Sequence, residues 1–84
     1  MATPPKAEFL AAVGTFLGER LSSVPGPDDE LIDSGRLDSL TILELYLFVE
    51  ELHGEPIPPE QASLDDLRTL DAAYRLLERL APVA

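Results

Sequence analysis

Apolar positions recur at helical spacing in three stretches and one shorter piece, and nowhere do they alternate with polar ones as a half-buried strand requires. The first stretch starts near Thr3, with Pro4 tolerated at a helix start, and sets Phe9, Leu10, Val13, Phe16, Leu17 and Leu21 on one face. Gly14 and Gly18 weaken this helix slightly, and Pro25, Gly26 and Pro27 in succession forbid its continuation. A loop follows to about Arg36, with Leu31 and Ile32 as its expected apolar anchors. Loops of this length in compact domains are often functional or specially packed. The second helix is predicted from about Ser39 to His53, stopped by Gly54 and then by Pro56, Pro58 and Pro59. A short third piece begins at Ser63, with Asp66 in the capping-box position, and supplies Leu64 and Leu67 to the core. The last helix follows Thr69, turns Leu70, Ala73, Tyr74 and Leu77 inward, and fades by Pro82. There is no internal repeat. The expected architecture is a single all-α domain over residues 1–84, a four-helix bundle with a short third helix.

The second helix is apolar twice. At about 100° per residue, Ile42, Leu45, Tyr46, Val49 and Leu52 form one stripe, which is the expected core face. Leu40, Leu43 and Leu47 gather nearly opposite, with Glu50 on one side and Glu44 and Glu51 on the other. A surface helix of a small bundle needs one buried stripe, so the second is either extra core under the long loop or a partner-binding patch ringed by acids.

Length limits the chemistry. A chain of 84 residues buries only a little over ~60% of the surface its unfolded form exposes, which leaves no room for a deep catalytic cleft and its supporting shell. With no cysteine, neither disulfides nor a thiolate metal site can hold the fold, and helix packing must do so. No metal site is expected. Met1 to Lys6 carry no basic segment followed by an apolar run, and no stretch approaches the ~18 apolar residues of a membrane span, so a cytoplasmic monomer is expected. The net charge is −10, and from Asp28 to Asp71 there are thirteen acids against two bases, Arg36 and Arg68. Phosphate neutralisation needs lysine and arginine, which argues against nucleic acid as a partner. Basic protein surfaces are the natural complement of such a field, although scattered acids also serve simply to keep a small protein soluble.

Chemistry centres on "LDSL", Leu37 to Leu40. Serine and aspartate are both favoured helix N-caps, so Ser39 can be read as a cap alone. Asp38 can cap the same helix, and Thr41 to Glu44, "TILE", offers a further capping box one turn on. With Asp38 as cap, Ser39 becomes the first helical residue and its hydroxyl is free to face solvent, where a phosphate ester would sit at the positive end of the helix dipole. A nucleophilic role for Ser39 would need a nearby base and oxyanion donors. The one histidine, His53, is expected at the far end of the same helix, about 21 Å away at ~1.5 Å per residue, and reads as a helix-end residue meeting terminal carbonyls. Tyr46, Phe48 and Tyr74 could line a space between helices and fit plain core positions better.

The stretch "LDSLTILELYLFVEEL" resembles the modification-site helix of acyl carrier proteins, whose Asp-Ser-Leu motif receives phosphopantetheine on serine. The resemblance spans nearly the whole chain: an amphipathic first helix, a long loop, this helix, a proline-containing connection, a short acidic piece and "LRTLDAAYRLL". Asp-Ser-Leu alone is a weak match; with Glu44 and the Glu50-Glu51 pair in an acidic helical chain it is strong. By that resemblance Ser39 would carry a phosphopantetheine arm, placed there from coenzyme A by a separate phosphopantetheinyl transferase. Asp38 would help present the serine. Leu40, Leu43 and Leu47, with Glu44, Glu50 and Glu51, would form the face that basic partner enzymes recognise. These partners would be a loading ligase or acyltransferase for an acyl or aminoacyl group and a downstream acyltransferase or synthase, while the carrier itself would catalyse nothing. The imported thiol also fits a chain without cysteine. Gly35 stands four residues before Ser39, where the commonest family pattern has three; this "SGRLDSL" spacing is similar to D-alanyl carrier proteins and discrete carriers of secondary metabolism, and unlike peptidyl carriers with Gly-Gly-x-Ser. Thr41 stands where many fatty-acid carriers have an acid. The resemblance thus implies a stand-alone carrier for polyketide or nonribosomal-type biosynthesis. The competing expectation is an unmodified acidic helical adaptor that binds a basic partner through Leu40, Leu43 and Leu47.

Overall fold

In a computed structural model, which describes residues 4–21 and 23–80, the chain forms three α-helices and two single turns of 3-10 helix, with no strand among the described residues. The helices are α1 (Lys6–Gly18), α2 (Ser39–His53) and α3 (Leu70–Leu80); the turns are Pro59–Gln61 and Leu64–Leu67. The fold is therefore all-α, and the expected short third helix is a single 3-10 turn. Its capping is as the sequence predicts: the Asp66 carboxylate accepts the Ser63 N–H at 2.8 Å. Four residues are too few to bury both leucines of so short a piece, and Leu64, expected in the core, is 49% exposed while Leu67 is buried. The expected limits Thr3 and Pro82 lie outside the described residues, and α1 starts later than the pattern suggests, at Lys6 after Pro5.

Every α-helix contributes to one core. Phe9, Val13 and Leu17 of α1, Leu45 and Val49 of α2, and Leu70, Ala73, Leu76 and Leu77 of α3 are buried in one cluster. In that arrangement α1 packs on both α2 and α3, and the Leu64–Leu67 turn packs on α3 and α2. Tyr74 is half-buried, its ring 5.2 Å from that of Phe9 and its hydroxyl donating to the Pro4 carbonyl at 2.8 Å. A Cβ on Gly18 would come within 2.8 Å of a Val24 methyl and one on Gly14 within 3.2 Å, so a larger residue on this side of α1 would have to push the exposed Val24 side chain aside.

The long loop is held at three places. Leu31 is fully buried and its N–H donates to the Arg68 carbonyl at 2.8 Å, while Asp71 N–H donates to the Pro27 carbonyl at 3.1 Å. The Arg68 guanidinium then pairs with Glu30 at 3.0 Å and Asp33 at 2.7 Å from the loop and with Asp65 at 2.6 Å from the turn. Leu37 adds a buried anchor just before α2, a position where a hydrophobic staple forms. Gly35 turns the chain at φ +76°, a left-handed conformation that costs a residue with a Cβ, so its place before the helix is a backbone requirement. No helix among the described residues is long and apolar enough to cross a membrane.

The two faces of α2 differ sharply in what a leucine there is worth. Leu45→Ala removes a side chain that is 1% exposed and should cost about 2–5 kcal/mol of unfolding free energy. Leu47→Ala, at a site 53% exposed, should change it by less than about 0.5 kcal/mol. Urea titrations of both variants check this, and equal losses would mean that α2 is rotated from the orientation described.

Candidate functional site

The site is built on the first turn of α2. Asp38 is extended at φ −90° and ψ 176°, and its Oδ1 accepts the Thr41 N–H at 2.8 Å. It is thus the N-cap, and of the alternatives open in the sequence this leaves Ser39 as the first helical residue. Ser39 is exposed and its hydroxyl makes no hydrogen bond among the described residues. The Thr41 N–H beside Asp38 holds that carboxyl below the usual carboxylate range, since the bond favours the ionised form. At the other end Gly54 closes α2 at φ +87°, donating its N–H to Glu50 O at 2.9 Å.

Beside Ser39 an apolar groove of about 370 Å³ runs between α2 and the segment that follows it. Ile42, Leu43 and Tyr46 line one side, and Ala62, Leu64 and Leu67 the other. Tyr46 also fastens that segment, donating its hydroxyl to the Ile57 carbonyl. Burial, with Glu50 and Glu60 nearby, pushes the Tyr46 phenol up, so it stays a neutral donor. Of the three aromatic residues considered for such a space, only Tyr46 reaches it. Phe48 stacks on Phe16 instead, with centroids 4.3 Å apart, and Tyr74 lies on Phe9.

The second apolar face of α2 is uncovered: Leu40 is 66%, Leu43 54% and Leu47 53% exposed. It is not extra core under the loop. The acids around it fall into three situations. Glu51 is exposed and unpaired among the described residues, whereas Glu44 Oε1 lies 3.2 Å from Arg20 Nε of the segment after α1. Glu50, expected on the recognition face, uses its carboxylate internally, where Oε2 accepts the Ile57 N–H at 2.6 Å. Sequence reasoning missed Ile57, which is 2% exposed, although an isoleucine between prolines in a connection is a signal of a pinned loop.

His53 departs from expectation. It is buried at 4% exposure, its Nδ1 has no hydrogen-bond partner and its Nε2 lies 3.9 Å from Glu55, so it fills the core end of α2 rather than meeting terminal carbonyls. Since α2 is continuous from Ser39 to His53, the two stand about 21 Å apart along it, too far for a base to reach the serine.

No protein-family model, curated protein or solved structure matches the chain.

The cap gives a pH test. A carboxyl whose pKa is depressed on folding stabilises above its unfolded value, near 3.9, and loses that contribution as pH falls through the folded value. The first turn of α2 should therefore loosen below about pH 4. Asp38→Asn retains an acceptor for the Thr41 N–H and should lack this local step. The Thr41 amide shift in an NMR pH titration reads it; the same acid transition in Asp38→Asn would assign the step elsewhere.

Proposed function

We propose that the protein is a stand-alone acyl or aminoacyl carrier, with Ser39 as the attachment point of a phosphopantetheine arm. The observation that carries this reading is Ser39 itself: a free hydroxyl on the first residue of a helix already capped by Asp38, at the side of an apolar groove. An attached phosphodiester meets the positive end of the α2 dipole. The exposed face of Leu40, Leu43 and Leu47, with Glu44 and Glu51 beside it, offers a basic transferase a surface leading to the serine.

In this reading the chain supplies placement rather than catalysis. Asp38 fixes the turn from which the hydroxyl projects, and the transferase takes the serine proton as the Ser39 Oγ–phosphorus bond forms, the P–O bond of the coenzyme A pyrophosphate breaks and adenosine 3',5'-bisphosphate leaves. Once bound, the arm contributes a thiol that holds acyl or aminoacyl groups as thioesters. A small apolar cargo fits the groove between Leu43 and Leu64, against Tyr46. The Leu64–Leu67 turn is, in this reading, the counterpart of the short third helix of a carrier bundle. Loading ligases or acyltransferases and downstream synthases of specialised cytoplasmic biosynthesis are the partners this reading requires.

The uncovered leucines equally suit an unmodified adaptor for a basic partner. Incubation with coenzyme A, magnesium and a broad-specificity phosphopantetheinyl transferase separates the two. The carrier gains one phosphopantetheinyl group by intact mass, Ser39→Ala gains none, and Leu47→Asp slows the modification at least about tenfold, the scale of a central interface residue. A wild-type chain that stays unmodified with several such transferases would leave the adaptor standing.

A further inference from the structure

The segment after α1 places a cation on the recognition face of an otherwise acidic chain. Arg20 Nε lies 3.2 Å from Glu44 Oε1, its NH1 donates to the Phe16 carbonyl at 3.0 Å, and its guanidinium lies 3.7 Å from the centre of the Phe16 ring. Phe16 in turn stacks on Phe48 at 10° between ring planes. Arg20, Phe16 and Phe48 thus form three layers, and with Glu44, Leu47 and Glu51 they line an open hollow of about 240 Å³ at the edge of the exposed leucines.

We propose that Arg20 is a charge gate on this face, occupying Glu44 until a cationic side chain of a partner enzyme takes its place. The inference rests on the carrier reading and adds a residue that sets which partners dock. The occupant follows from charge. Glu44, Leu47 and Glu51 stand at spacings of three and four on α2, so the two carboxylates flank one apolar floor. A lysine or arginine can lay its stem on Leu47 and Phe48 and its head between the acids. Releasing Glu44 does not set Arg20 adrift, because the Phe16 ring and carbonyl still hold it. The exchange is therefore local, and it replaces one half-exposed ion pair with another. Its cost falls on partners with a single weak cation and is readily met by those with a strong basic patch.

Phosphopantetheinyl transfer measured at low salt tests the gate. In Arg20→Gln the KM of a basic broad-specificity transferase for the chain should fall about two- to fivefold, the range of an exposed ion pair. Glu44→Gln should raise KM, and adding Arg20→Gln to it should bring no further fall, since no carboxylate is left to release. Arg75→Gln, which removes the same charge from α3, should leave KM unchanged. An unchanged or raised KM in Arg20→Gln overturns the gate alone, as does an equal fall in Arg75→Gln or in the Glu44→Gln background. A wild-type chain that accepts no group on Ser39 overturns the carrier reading and the gate with it.

Discussion

Leu45 and Val49 are sealed in the same buried cluster as Phe9, Val13 and Leu17, and a helix held at two points one turn apart cannot rotate about its own axis. From that fixed rotation the outside of α2 follows. Leu40, Leu43 and Leu47 are turned to solvent because their neighbours at the core positions are turned in. Ser39 and Leu43 are brought to the rim of the groove, and Glu44 and Glu51 flank Leu47. A chain this small spends most of its apolar residues on one core, so three exposed leucines on one helix are a departure that packing of the described residues does not explain.

The two ends of α2 are set by backbone chemistry. Asp38 satisfies an orphan amide at the start and Gly54 supplies the left-handed residue at the finish, so the helix begins one residue after the aspartate and Ser39 is spared. The loop before it is positioned by the residues that follow the Leu64–Leu67 turn. Arg68 collects Glu30, Asp33 and Asp65, and Leu31 and Leu37 are buried beneath, so the approach to Ser39 is tied to the same turn that walls the groove. The serine, the groove and the exposed leucines therefore share one support.

Most of this was legible where it depended on local rules. The limits of α2, its two apolar faces, the Asp66 capping box and the burial of Leu31 come from spacing and turn chemistry, which the sequence carries directly. What escaped depends on partners distant in the chain. Glu44 meets Arg20 across 24 positions and Arg68 meets Glu30 across 38, and nothing local foretells either pair. Leu64 was misplaced because a single 3-10 turn cannot present two leucines to one core, and His53 because burial there is decided by the packing at the end of α2. Leu76 could have been found, lying three residues after Ala73 on the buried stripe of α3.

Function rests on whether Ser39 leaves the cell bare. The most direct measurement is the intact mass and Ser39-containing peptide of the protein purified from its native host. A mass increased by one phosphopantetheinyl group, with or without a thioester-bound cargo, and located on Ser39 is the result this account predicts. A chain recovered wholly at its unmodified mass from a host with an active phosphopantetheinyl transferase would contradict it.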